Sequence, residues 1–107
     1  MRKKSDDLVK LDLNNPVFQR QWVALDKAEA SRVLTTLKKL LPMSWNQVYQ
    51  DSGLKWEKIT SVQPPAGVDA MYSLRITQAR RATAYRDGEY MRLLTIAPDH
   101  DATYGKK

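Results

Sequence analysis

The chain has 107 residues with no cysteine and one histidine, and its formal net charge is +6 at pH 7; that length fits a single domain spanning residues 1–107. Without thiols there is no disulfide framework and no thiolate metal site, and a lone imidazole would leave zinc to carboxylates, so no metal or other cofactor is expected. No apolar run approaches the roughly 18–20 residues that span a bilayer, and the basic opening lacks an apolar segment behind it, so neither a membrane span nor a signal peptide is expected and the cytoplasm is the expected location.

Residues 1–7 are polar and read as a frayed tail. From Leu8 to Leu13 the pattern alternates, with Val9, Leu11 and Leu13 on one side and Lys10 and Asp12 on the other, which is the period of a half-buried strand. Asn14-Asn15-Pro16 then starts a helix, with Asn at the cap and Pro at the first helical position. Phe18, Trp22 and Leu25 recur at helical spacing, and Ala30, Val33, Leu34, Leu37, Leu40 and Leu41 continue the period. Asp26 caps a second helix, so the segment reads as a helical hairpin ended by Pro42. Ser44 starts one or two further helical turns that stop near Gly53. Residues 54–59 alternate as a strand or extended arm, and residues 63–69, with two prolines and a glycine, form a loop.

Three strands follow: residues 71–77, 80–86 and 90–96. Asp87-Gly88 between the last two is a strong two-residue hairpin signal, because primed turns need positive φ. The order of strand, helices and strands predicts an α+β fold, with two or three helices packed on one face of a mainly antiparallel four-stranded sheet.

Side chains alternate across a strand, so the faces can be assigned. Tyr72, Leu74 and Ile76 should meet the helices, which turns Ser73, Arg75 and Thr77 outward. Ala82 and Ala84 suit close packing under helices, which leaves Arg81, Thr83 and Tyr85 on the open face and Arg80 and Arg86 at the rim of the covered one. Two guanidiniums on a rigid sheet, with hydroxyls and an aromatic ring beside them, can grip a phosphate and stack a base. A pI of about 9.7 favours such a polyanionic partner. His100 follows the last strand between Asp99 and Asp101, whose charges would raise its pKa and suit it to act as a general acid.

Tyr72-Ser73-Leu74-Arg75-Ile76, Arg81-Ala82-Thr83-Ala84-Tyr85, the Asp87-Gly88 hairpin, the apolar strand from Met91 to Ile96 and the ending Asp99-His100-Asp101-Ala102-Thr103-Tyr104 together form a pattern. It resembles the RelE/ParE superfamily of bacterial type II toxin–antitoxin toxins, the RelE- and HigB-like members in particular. The resemblance implies an RNase-type α+β fold and a metal-independent endoribonuclease that cuts mRNA, often on the ribosome, and so inhibits translation. It implies a cognate antitoxin as partner. By position, Arg75 and Arg81 would bind and neutralise the scissile phosphate, His100 would move a proton, and Tyr104 would stack a base or assist that transfer. Lys55, Lys58, Ser73 and Tyr85 would line the RNA path, Ser73 standing where some nuclease members carry lysine. Two other readings stay open: a ParE-like inhibitor acting on DNA gyrase by contact, and a binding module for RNA or protein without catalysis.

Overall fold

Three cap residues set where the helices begin in the computed structural model, which describes residues 7–61 and 63–97. The Asn15 side chain accepts from the Val17 and Phe18 amides ahead of α1 (Pro16–Val23). Asp26 accepts from the Glu29 amide to open α2 (Lys27–Leu40). Ser44 and Gln47 form a reciprocal capping box on α3 (Trp45–Gln50), which satisfies amides that would otherwise lack partners. Pro42 lies just past α2, where its missing N–H and fixed φ prevent continuation.

The strands are β1 (Lys10–Asp12), β2 (Glu57–Ile59), β3 (Met71–Arg75), β4 (Arg81–Asp87) and β5 (Tyr90–Ile96), in spatial order β1-β5-β4-β3-β2. The sheet therefore has five strands where the sequence suggested four. It is also mixed, because β1 joins β5 in parallel while the other three pairings are antiparallel. A hairpin forces antiparallel pairing between chain neighbours, but β1 is separated from β5 by all three helices and nothing local sets its direction. Just ahead of β1, Val9 donates to the Met43 carbonyl, and the Asp7 carbonyl accepts from Trp45. Asp7 is thus tied down, and the rest of the tail, residues 1–6, lies outside the described residues.

The hairpin turn falls one residue later than the sequence pattern suggested. Asp87 pairs with Tyr90, so Gly88 and Glu89 form the turn, and only Gly88, at φ 62°, needs the left-handed region. Glycine at the first central position is the type II′ arrangement rather than type I′. A bulge puts β5 out of step between Thr95, opposite Thr83, and Leu93, opposite Ala84. The extra residue lets Met91, Leu93 and Ile96 all face the core although their spacing is not a strict two.

The core lies between the helices and one sheet face. Phe18, Val33, Leu37 and Leu40 meet Leu74, Ile76, Ala82, Ala84, Met91 and Leu93, all buried. Ala82 and Ala84 let the helix layer approach closely. At the β2 side the covered face becomes aromatic: Trp56 stacks on Tyr72 with centroids 4.8 Å apart and meets Trp45 edge-on at 5.4 Å. Arg86 lies over Trp45 at 4.4 Å and donates to the Tyr49 hydroxyl. The guanidinium itself thus lies over the indole face, a cation–π contact at the rim of the aromatic cluster. Among the described residues, no helix is long and apolar enough to cross a membrane.

Candidate functional site

Arg75 ends β3 and Arg81 begins β4, and the antiparallel register sets them directly opposite each other. Ser73 faces Thr83 in the next pair on the same side, and Tyr85 faces Arg92 farther along. Both strand phases read from the sequence therefore hold within β3 and β4, and this face is not covered by the helices. Thr77, expected to point outward, lies beyond the end of β3 and is instead buried against Glu29 of α2, because the strand's alternation stops at Arg75. Like charges directly opposite on a sheet repel, so the pair carries a local cost that an anion would relieve.

The two guanidiniums are held differently. Arg81 donates to the Ser73 hydroxyl at 2.8 Å and to the Lys55 carbonyl at 3.0 Å, and its side chain is only 17% exposed. Lys55 presents that carbonyl from a left-handed backbone at φ 51°. Arg81 is thus a fixed cation with its orientation set in advance, an arrangement that favours charge stabilisation because nothing need reorganise on binding. Arg75 has no hydrogen-bond or ion-pair partner among the described residues. Beside the pair, the Thr83 and Thr95 hydroxyls share a hydrogen bond of 2.6 Å.

Acidic groups limit the positive field. Glu57 approaches Arg81 at 3.9 Å from the exposed edge of β2. Arg92 is neutralised by Asp12 and Asp87. The Asn14 amide, followed by Arg92, holds the Asp12 carboxyl below its usual range. The anion-binding potential is therefore concentrated at the Arg75–Arg81 end of the face.

The other residues singled out in the sequence are placed as follows. Tyr85 is half-buried and lines a cavity of ≈ 510 Å³ with Tyr49, Tyr72 and Arg86. Lys55 is exposed, and it is its backbone carbonyl that meets the arginine pair, through Arg81. Lys58 pairs with Tyr72 and so belongs to the opposite side of the sheet, and the fold does not bring it to Arg75 and Arg81. Lys55 lies before β2 with a left-handed backbone, so strand alternation does not carry Lys58 to its side. His100 and Tyr104 lie outside the described residues. Ala97 is the last described position, and its amide donates to the Arg81 carbonyl at 2.9 Å.

A second charged cluster was not visible in the sequence. Glu29 of α2 is 8% exposed, yet it accepts from Thr77 at 2.7 Å, Arg80 at 2.9 Å and Arg32 at 2.9 Å. The Thr77 hydroxyl is the main cause of a carboxyl pKa below the usual glutamate value. Every oxygen is satisfied, so this group is a tie between α2 and the β3–β4 turn rather than a reactive acid. Its members are 48 and 51 residues from Glu29, too far apart for any local pattern to link them.

The geometry defines a class: a small α+β protein with an arginine pair and hydroxyls on an open sheet face. No protein-family model matches the chain, and no curated protein matches it. Among solved structures, that of a YoeB dimer from Staphylococcus aureus aligns over 84% of this chain and 93% of that one, with 13% identity and a TM-score of 0.47. Values that low carry over neither residues nor activity.

Proposed function

We propose that the chain is a type II toxin: a metal-independent mRNA endoribonuclease that inhibits translation, acts in the cytoplasm and is restrained by a cognate antitoxin. The observation that supports it is the direct opposition of Arg75 and Arg81 on a sheet face the helices do not cover, with one guanidinium fixed and the other without a partner among the described residues. In the reaction a ribose 2′-oxygen forms a bond to the adjacent phosphorus while the bond to the 5′-oxygen breaks. The products are a 2′,3′-cyclic phosphate and a 5′-hydroxyl. A base takes the 2′-hydroxyl proton, an acid protonates the leaving oxygen, and the arginine pair neutralises charge on the non-bridging oxygens.

His100 and Tyr104 are the groups we assign to proton transfer and base stacking. His100 follows Ala97 by three residues in the sequence, and the Ala97 amide donates to the Arg81 carbonyl. Ser73 flanks the phosphate, Lys55 meets Arg81 through its carbonyl, and Tyr85, four residues along β4 from Arg81, is assigned to RNA farther along the face.

The test is cleavage of a labelled single-stranded RNA by the purified protein with EDTA present. We expect a cyclic-phosphate product, no cleavage when the ribose at the cut is 2′-deoxy, and a rate about 10²-fold lower for Arg81→Ala, since one preorganised donor is worth about 3 kcal/mol. Equal rates for Arg81→Ala and the unmodified chain would remove the site. The engagement of Arg81 by Ser73 and Lys55 also suits a second reading, phosphate binding without cleavage. Salt-sensitive RNA binding with no product would select it. Inhibited gyrase supercoiling with RNA left intact would select the ParE-like reading instead.

A further inference from the structure

A small concavity opens at the end of β3, between α2 and the turn that precedes β2, lined by Thr36, Lys39, Gly53, Leu54, Arg75 and Gln78 among others. We infer that it is a second phosphate subsite, which takes the phosphodiester next to the one held on the sheet face, with Lys39 as its own cation and Arg75 shared between the two. The inference rests on the RNA reading above and adds the direction in which the strand leaves the arginine pair.

Size and chemistry both argue for a phosphate. The concavity has a volume of ≈ 270 Å³, below the roughly 300–1,000 Å³ of sites that enclose a whole small molecule. A phosphate and part of a sugar fit. The Arg75 guanidinium offers up to five donors in a planar fork, and among the described residues none of them is used. Gln78 is exposed beside it and can add an amide donor.

Lys39 is the apparent obstacle, because it pairs with Asp51 at 3.3 Å. Its side chain is 48% exposed, however, and an exposed pair of that kind contributes little. Asp51 does not depend on it. The Leu54 amide donates to Asp51 at 2.9 Å and is the main cause of its lowered carboxyl pKa. Lys39 can therefore turn to a phosphate and leave Asp51 satisfied. Gly53 keeps the ammonium accessible: a Cβ there would stand 3.6 Å from Lys39 Nζ and 3.2 Å from Asp51 Oδ1.

The experiment measures binding of a 2′-O-methyl oligoribonucleotide, which cannot be cut, by fluorescence anisotropy from 0.05 to 1 M KCl (order-of-magnitude limits set by the range over which counterion release is read). Each phosphate contact on a single strand contributes about 0.7 to the slope of log K against log salt. Lys39→Gln should flatten that slope by about 0.7 and weaken binding about eight-fold at the lowest salt, with the difference vanishing near 1 M. Asp51→Asn, which keeps an acceptor for the Leu54 amide, should tighten binding in the unmodified chain and leave it unchanged in the Lys39→Gln background. An unaltered slope with a lowered Tm in Lys39→Gln would assign Lys39 to fold stability alone and overturn the subsite. Equal displacement of the oligonucleotide by free inorganic phosphate and by RNA phosphates would assign the concavity to small anions and overturn it too. A wild-type chain that binds no RNA would overturn both this inference and the reading it rests on, whereas binding with an unaltered Lys39→Gln slope overturns the subsite only.

Discussion

Replacing Glu29 with alanine should be the most destabilising single change outside the apolar core. The carboxylate accepts from Thr77, Arg80 and Arg32, and the three losses differ in size. Thr77 is buried, so its hydroxyl loses a charged acceptor without gaining water, which costs about 1.5–3 kcal/mol. Arg80 is largely buried but keeps a bond to the Ala97 carbonyl at 3.3 Å. Its share therefore falls below the about 3–5 kcal/mol of a fully buried broken pair, to about 1–2 kcal/mol. The Arg32 side chain is 63% exposed, and its pair adds only a few tenths, on the order of 0.3 kcal/mol. The expected loss is about 3–5 kcal/mol, or a Tm lower by about 12–20 °C for a domain of this size. Urea denaturation followed by tryptophan fluorescence, with an unchanged m-value, measures it. Thr77→Val in the same background completes a double-mutant cycle, in which we expect a coupling of at least about 1 kcal/mol. A loss under about 1 kcal/mol for Glu29→Ala would mean that solvent reaches the cluster and that the tie between α2 and the β3–β4 turn is not an energetic one.

Two further outcomes follow from the charges. Glu57→Gln removes the acid 3.9 Å from Arg81 and should tighten RNA binding about two- to five-fold at low salt, with no effect at high salt where the pair is screened; unchanged anisotropy at low salt would separate Glu57 from the site. Glu29, Asp12 and Asp51 all have carboxyl pKa values lowered by folding. Their stabilising contribution is complete above their unfolded values of 4.5 and 3.8 and is lost as pH falls through the lower folded values. Tm should therefore hold steady from neutral pH down to about 4.5 and fall below it, less steeply in Glu29→Ala; a Tm that stays level as pH drops below about 4.5 would contradict the assigned hydrogen bonds.

Features set by neighbouring residues were legible in the sequence. Asn15, Asp26 and Ser44 each cap a helix because their short side chains reach amides two or three residues on. The alternation that turned Arg75 and Arg81 to one face held because Ala82 and Ala84 admit no other side to the core. Features set by distant residues were not legible. The bulge in β5 depends on register against β4, and the parallel entry of β1 depends on a partner 80 residues away. The hairpin slipped by one because Asp87 completes the ladder with Tyr90, which leaves glycine to serve a different turn type. Lys58 was grouped with Lys55 by charge, but alternation places it with Tyr72 on the other face.

The parallel ladder between β1 and β5 orders events during synthesis. Lys10 finds its sheet neighbour only at Tyr90, so the first strand must wait for the last to leave the ribosome, several seconds at about 5–20 residues per second. β4 likewise lacks its main partner until then. The sheet surface carrying both guanidiniums is thus complete only once β5 has been made, so the two arginines spend the earlier seconds of synthesis without the framework that sets them opposite each other.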